Sequence, residues 1–160
     1  MLSSRFPVAV QILIVLAWSP KYVKITSDII ATSVNTNPVI IRRIMGYLKK
    51  HGLITSATSA GGAKLFKPAD QITLLEVYKA VELTEEHKLF GLHENPNPHC
   101  PIGSRINEVL ELHLGEARKA LEDTLENITI QDLVGEFTSF EDFSSSPRGH
   151  KMMDKLFSSR

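Results

Sequence analysis

The chain has 160 residues, and its 18 Lys and Arg residues balance its 18 Asp and Glu residues, so its formal net charge is zero. This length suits one domain, or one small domain with an appendage, and a 42% hydrophobic content excludes general disorder. The single cysteine excludes an intrachain disulfide and a four-cysteine zinc or iron–sulfur site, and it is typical of a reducing, cytoplasmic setting.

The charges are unevenly distributed along the chain. Residues 1–70 carry nine Lys or Arg residues and two acids, a net charge of +7, whereas residues 71–160 carry nine bases and 16 acids, a net charge of −7. Such asymmetry is typical of a basic nucleic-acid-binding half joined to an acidic half with another role. The alternative is that both halves are ordinary solvated surfaces.

The first predicted element is a buried helix from about Arg5 to Trp18 that stops before Pro20. Its apolar run is about 13 residues long, which is short of the roughly 20 that span a bilayer. The residues that follow make a poor signal-peptide cleavage site, so we expect neither export nor a membrane segment.

Two further helices are predicted to form a helix-turn-helix. The second begins after an extended link at residues 22–25, with Thr26 or Ser27 as its cap. The third runs from Pro38 to about His51, because Pro suits the first helical position and a glycine follows the last. Its inward stripe contains Ile41, Ile44, Met45 and Leu48, and its outward positions are Val39, Arg42, Arg43, Gly46, Lys49 and Lys50.

A glycine-tipped hairpin is predicted next, with strands at 53–56 and 64–67 and a turn at 57–63 that contains Gly61 and Gly62. Thr73 and Glu76 match a capping box, which opens a fourth helix that ends near residue 82. The fold is therefore predicted to be mainly α with a small β-wing, a winged helix-turn-helix that continues into a long helix.

The second half is predicted to contain a loop, a long helix, a short helix and a tail. Residues 84–101 are rich in Pro and Asn, and an apolar stripe along residues 102–125 predicts the longest helix. Thr129 and Asp132 match a second cap for a short helix at 130–136. The Ser-rich tail from residue 139 is expected to be mobile, with a brief amphipathic turn at 152–157.

The basic third helix and the hairpin together predict binding to double-stranded DNA. Arg side chains bond to guanine and apolar groups touch thymine methyls, whereas Lys side chains and helix N-termini suit phosphates. The alternative is a merely solvated helix face. The candidate contacts are Val39, Arg42 and Arg43 for bases, Lys49, Lys50, Lys64 and Lys67 near phosphates, Thr26, Ser27, Asn35 and Thr36 at helix N-termini, and Gly61 and Gly62 in the wing.

Several segments, taken in order, resemble the Rrf2 family of bacterial transcription regulators over about residues 1–115. They are Ser4-Arg5-Phe6 with Ala9 and Leu13, then 26–31, 34–44, 48–54, Gly61-Gly62 with Leu65, and 72–82. The resemblance implies a dimeric winged-helix repressor, in which the long helix packs against its partner and the third helix and wing read a palindromic operator. It places Val39, Arg42 and Arg43 where members contact bases, and Arg5, Thr26, Ser27 and Lys64 in regions that contact phosphate or groove.

The chain departs from many members of that family in its cysteines. Several members bind an iron–sulfur cluster through three cysteines between the fourth helix and the long helix, but this segment holds only Cys100. We therefore expect no iron–sulfur cofactor, and the chain is similar to members that lack the cluster.

Cys100 is instead a candidate redox sensor. His99 and the start of the long helix would both favour its thiolate, which could be oxidised or pair with the same residue of a second subunit. The alternatives are an inert thiol, a metal site with His87, His93 and His99, or a small-ligand pocket whose ligand the sequence does not name.

No phosphate-binding loop, zincin motif or nucleophile with an orienting acid is present, so we expect no enzyme. A protein-interaction module that binds through the acidic half is the other class, and it would show no salt-dependent binding to DNA. The expected organisation is a DNA-binding domain at 1–82, a loop with Cys100 at 83–101, a dimerisation helix and short helix at 102–137 and a flexible tail at 138–160.

Overall fold

A computed structural model describes residues 4–56, 62–82 and 91–157. Three helices come first, followed by a two-stranded hairpin, a short 3₁₀ turn at Ala69–Gln71 and five more helices. The elements are α1 (Arg5–Trp18), α2 (Ser27–Val34), α3 (Pro38–Lys50), β1 (Ile54–Ser56), β2 (Ala63–Leu65), α4 (Leu74–Val81), α5 (Ile106–Glu126), α6 (Ile130–Val134), α7 (Phe140–Ser144) and α8 (Pro147–Phe157).

Helices α2 and α3 begin close to where the sequence predicts, because each has a capping side chain within one helical turn of its first residues. Thr26 Oγ1 accepts a hydrogen bond from the backbone N–H of Ile29 at 3.3 Å, and Asn37 Oδ1 accepts one from the N–H of Val39 at 2.8 Å. Pro38 occupies the first turn of α3. These side chains satisfy amide groups that have no partner within their helices.

Gly52 ends α3 in a left-handed conformation, with φ of 68°. Its N–H donates to the carbonyl of Lys49 at 3.1 Å, and the N–H of Leu53 donates to the carbonyl of Leu48 at 3.0 Å. This pair of bonds is the Schellman motif, which turns the chain sharply from α3 into the hairpin.

The hairpin is antiparallel and pairs Ile54 with Leu65, Thr55 with Lys64 and Ser56 with Ala63. The predicted bounds of the second strand were wrong, since β2 begins one residue earlier and ends two residues earlier. The N–H of Ala63 donates to the carbonyl of Ile25 at 2.9 Å, which ties the strand to the α1–α2 link. Residues 66 and 67 bend away from the ladder, and Pro68, which has no N–H to donate, follows them.

The core lies between α1, α2, α3, α4 and α6. The short helix α6, which the sequence grouped with the dimerisation helix, packs against α1 and contributes the fully buried Ile130. Two backbone hydrogen bonds attach it: Ile130 N–H to Ile72 O at 2.9 Å, and Leu74 N–H to Ile128 O at 2.8 Å. The core formed by the first four helices therefore includes residues near 130.

Helix α5 begins four residues later than predicted and packs against α4. The preceding residues form turns, in which Cys100 N–H donates to the Asn97 carbonyl at 3.2 Å and Ser104 N–H donates to the Cys100 carbonyl at 2.9 Å. No residue of α5 is buried, although the helix is 21 residues long. Among the described helices, none has the length and apolar content that crossing a membrane requires.

The tail differs most from the sequence prediction, because residues 140–157 form two helices rather than a mobile segment. The ring of Trp18 lies 4.9 Å from that of Phe140 and 5.6 Å from that of Phe143, and Trp18 Nε1 donates to the Thr138 carbonyl at 2.7 Å. Phe140 is only 8% exposed. The aromatic residues within the Ser-rich stretch are therefore what fix the tail onto α1.

Candidate nucleic-acid interface

Helix α3 separates an apolar face from an exposed basic one. Ile41, Ile44 and Leu48 are at most 1% exposed, whereas Arg42 and Val39 lie on the solvent side. Val39 is 61% exposed although it is apolar, which leaves a methyl-bearing surface at the start of the helix. The exposed positions of α3 among the predicted contacts are Val39, Arg42, Arg43, Lys49 and Lys50.

A shallow depression of about 350 Å³ joins the start of α2, the outer face of α3 and the base of the wing. Arg42 Nη1 donates to Ser27 Oγ at 3.3 Å across it, so the two helices of the helix-turn-helix are linked by their polar side chains. Five of the predicted contact residues line this depression: Thr26, Ser27, Arg42, Lys49 and Gly62.

The remaining predicted contacts lie elsewhere. Lys64 is exposed on β2 and lines a separate cleft with Lys21, and Lys50 lies on the exposed end of α3. Asn35 does not lie at a helix N-terminus as predicted, because it ends α2 in a left-handed conformation with φ of 57°. Thr36 follows it and donates its N–H to the Ala31 carbonyl at 3.0 Å. Gly61 lies outside the described residues.

Tyr47 was not among the predicted contacts, although it lies beside basic residues of α3 and α1. Arg43 Nε donates to its hydroxyl at 3.2 Å, and Arg5 of α1 also lies close enough to act on it. The hydrogen bond from Arg43 is the largest cause that lowers the pKa of Tyr47 from its ordinary value, and the charges of both arginines act in the same direction. The i, i+4 spacing of Arg43 and Tyr47 in the sequence could have predicted this contact, because residues four apart are neighbours on a helix.

Gly62 is required by the protein's own backbone. Its φ is 70°, and a Cβ at this position would lie 2.5 Å from the Ile25 carbonyl oxygen. Gly62 therefore approaches the α1–α2 link closely, and this contact places the wing beside the N-terminus of α2.

Lys67 is engaged within the protein rather than directed to a ligand. Its Nζ lies 2.7 Å and 2.9 Å from the two carboxylate oxygens of Glu76, which also accepts from the N–H of Thr73 in the capping box. This partly exposed ion pair neutralises Lys67, so the prediction that it lies near phosphate has no support in this geometry.

Cys100 lies partly exposed in the turns before α5. Hydrogen bonds from the backbone amides of Gly103 and Ile102 lower the pKa of its thiol, and partial burial opposes them. His99 and the start of the long helix were expected to favour the thiolate of Cys100. The structure instead supplies it through the turn, because α5 begins six residues after Cys100.

The predicted histidine cluster is spread along the loop. The backbone N–H of His93 donates to Asn107 Oδ1 of α5 at 3.1 Å, and Asn107 Nδ2 donates to the His93 carbonyl at 2.8 Å. His99 is exposed beside Cys100. Across residues 4–56, 62–82 and 91–157, no three His, Cys, Asp or Glu residues come together as a metal site. His87 lies outside the described residues.

Comparison with known proteins gives concordant matches over most of the chain. The sequence profile of the Rrf2 family, described as iron-dependent transcriptional regulators, matches residues 2–136. A protein of Bacillus subtilis strain 168 named as a helix-turn-helix-type transcriptional regulator, YwnA, is 42% identical over 134 residues, which are 84% of this chain and 97% of that protein.

Solved structures agree with the sequence matches. The crystal structure of a DNA-binding protein is 37% identical, covers 81% of this chain and 98% of its own, and has a TM-score of 0.65. That of CymR, the global cysteine regulator of Bacillus subtilis, is 22% identical with the same TM-score, covers 86% of this chain and 98% of its own, and shares the fold. The predicted fold, a winged helix-turn-helix with a small sheet, is confirmed.

Proposed function

The chain belongs to the Rrf2 family of DNA-binding transcriptional regulators, and we propose that it is a homodimeric repressor that reads a palindromic operator through α3 and the wing. Its family and its relatives regulate transcription and are not enzymes, as the sequence predicted. Double-stranded DNA is its partner.

The depression at the base of the wing is the observation that carries this proposal. It offers Arg42 and Lys49 as cations, the capped N-terminus of α2 at Thr26, and the wing root at Gly62 within one concave surface. Such a surface fits a phosphate backbone, while Val39 and Arg43 at the first turns of α3 are free of the core to reach base edges. Phosphate contacts fix the register, and base contacts supply specificity.

The exposed apolar surface of α5 supports the homodimer. Val109, Leu110 and Leu112 are 45%, 37% and 66% exposed, and neighbouring exposed apolar side chains of this size are typical of a surface that another protein surface covers. An apolar groove of about 760 Å³ runs along α1 and is bordered by Leu74 of α4, the helix against which α5 packs. A second copy would cover these neighbouring surfaces by two-fold symmetry, as a palindromic site requires.

Redox control through Cys100 is the regulatory part of the proposal. A peroxide would oxidise the thiolate to sulfenic acid with release of water, and condensation with Cys100 of the partner subunit would release a second water and form a disulfide. The lowered thiol pKa and the partial exposure of Cys100 support this role.

We also propose that the protein functions without the iron–sulfur cluster of several relatives. The chain supplies one cysteine rather than three, and the described residues around Cys100 offer no compensating group of ligands. These residues do not fit a cluster held by one chain, so the regulatory step is assigned to the thiol itself.

Selection of bound DNA from a random pool, with reduced and oxidised protein in parallel, tests the operator and the redox response together. We expect two inverted half-sites whose centres are about one helical turn of DNA apart. Replacing Arg43 by Ala should cost roughly 1–3 kcal/mol and relax one position of each half-site. An Arg43→Ala protein that binds operator and random DNA as the wild type does would exclude α3 as the reading helix.

Operator affinity of the wild type and of Cys100→Ser, each with and without hydrogen peroxide, isolates the thiol. We expect the peroxide to change the affinity of the wild type only. An equal change in both proteins would assign the response to another residue.

Sedimentation analysis tests the dimer separately. Leu110→Glu should dissociate it, because the carboxylate would be buried at the interface without a partner. Lys119→Glu is the matched control, since at 3.6 residues per turn it lies on the opposite side of α5 and is exposed. A dimer that survives Leu110→Glu would place the interface elsewhere.

A further inference from the structure

Helices α7 and α8 lie beyond the region shared with the family. The family profile ends at residue 136, and the YwnA match spans 134 residues of this chain. These two helices form a cavity of about 210 Å³ against the end of α1, the α1–α2 link and α2. The C-terminal segment thus supplies one wall of a partly open cavity that the matched region alone does not form.

The cavity has an apolar and aromatic lining. One wall consists of Phe140, Phe143, Met152 and Met153 from the C-terminal segment, and Trp18 of α1 lies at its edge. Ser19 and Ser33 are its polar residues, and none of the described residues that line it carries a charged side chain. An apolar cavity of roughly 150 Å³ is large enough to hold benzene, whereas burial of an unpaired ion would be very costly.

The cavity adjoins the DNA-binding surface through Ile25. This residue lines both the cavity and the depression at the base of the wing, and its carbonyl accepts the hydrogen bond from Ala63 of β2. The next residue is Thr26, the cap of α2. Ile29 of α2 also lines the cavity, so the first turn of α2 lies between the cavity and the depression.

We propose that this cavity binds a small uncharged aromatic molecule of about one ring, and that its occupancy changes operator affinity through Ile25 and the first turn of α2. The proposal extends the proposed function by naming a ligand class and a second regulatory site, independent of Cys100. By thermodynamic linkage, the factor by which the ligand changes operator affinity equals the factor by which operator changes ligand affinity.

Trp18 is the only tryptophan of the chain and lines both the cavity and the α1 groove, so its fluorescence reports a ligand bound at either place. Titration of the full-length protein with toluene, in the absence of DNA, should produce a saturable change in Trp18 emission and a rise in Tm. Because this measurement needs no DNA, its outcome is independent of whether the operator proposal is correct.

Two matched variants locate the site. Phe140→Ala removes part of the cavity wall and should weaken toluene binding roughly tenfold or more. Phe137→Ala makes the same truncation three residues earlier, in the α1 groove but outside the cavity, and should leave binding unchanged. A third variant, Val23→Phe, keeps that wall but fills the cavity from the α1–α2 link, and it should abolish binding.

Operator affinity is then measured by fluorescence anisotropy with and without saturating toluene, and we expect a change of at least roughly threefold, a coupling free energy near RT ln 3. The absence of a saturable emission change in the wild type would overturn the site. Equal toluene affinity in wild type and Phe140→Ala would do the same, as would loss of binding in Phe137→Ala alone. Toluene binding without any change in operator affinity would overturn the coupling.

Discussion

Gly52 and Gly62 have nearly the same backbone conformation but different surroundings. Comparing alanine substitutions at the two positions therefore measures how tightly the wing packs against the α1–α2 link. Gly52 has φ of 68° and Gly62 has φ of 70°. A Cβ at position 52 meets nothing within 4 Å, whereas a Cβ at position 62 would lie 2.5 Å from the Ile25 carbonyl oxygen and 3.0 Å from its nitrogen. Substitution of each by alanine therefore separates backbone strain from steric overlap.

The expected losses of stability follow from these two terms. The left-handed conformation costs an L-residue roughly 1–2 kcal/mol, which is the whole expected effect of Gly52→Ala. Gly62→Ala adds the displacement of backbone in a packed region, roughly another 1–3 kcal/mol, for a total of roughly 2–5 kcal/mol. For a chain of this length, each kcal/mol lowers Tm by about 2–4 °C.

Thermal unfolding followed by circular dichroism at one fixed protein concentration measures both variants, because Tm of a dimer depends on concentration. We expect Gly62→Ala to unfold at the lower temperature and to lose operator affinity, since the wing and the link at Ile25 must separate. Equal losses of stability in the two variants would refute the close contact between Gly62 and Ile25.

Three further predictions concern charge and titration. Lys49→Ala should reduce the slope of log affinity against log salt concentration by about 0.9 per subunit. Lys50 lies outside the depression, so Lys50→Ala should reduce the slope less. A larger reduction in Lys50→Ala than in Lys49→Ala would contradict the assigned phosphate site. Arg43→Met should raise the pKa of Tyr47 toward its ordinary value in an absorbance titration, and an unchanged pKa would exclude their hydrogen bond. Alkylation of Cys100 should reach its half-maximal rate at a lower pH in the folded protein than in urea, because the folded state favours the thiolate. Identical rate–pH profiles in the two conditions would show that folding does not lower the pKa of Cys100.

The bounds of α1 and the beginnings of α2, α3 and α4 could be predicted because the signals act within one helical turn. Thr73 and Glu76 satisfy each other's backbone amides three residues apart, and Pro38 can occupy a first turn in any fold. The exposed basic face of α3 followed in the same way from helical periodicity. Interactions between residues close in sequence were sufficient to predict these elements.

The start of α5 and the tail could not be predicted in this manner. Periodicity extends through Ile102, but the turns around Cys100 use the backbone groups that an earlier helix start would require. The sequence of the tail predicts a polar, mobile segment, because its aromatic residues are widely spaced. Their partner is Trp18, whose hydrogen bond to the Thr138 carbonyl joins residues 120 positions apart.

The sequence by itself determined a winged helix-turn-helix with a basic reading helix, because charge asymmetry, caps and apolar periodicity are properties of neighbouring residues. Only the tertiary structure decided which of the predicted contacts share a surface. Ser27 meets Arg42, and Gly62 meets Ile25, because separate elements of the chain pack together. The tertiary structure also pairs Lys67 with Glu76 and forms the cavity beside Trp18. Such contacts depend on how the whole core closes, and no local pattern of residues encodes them.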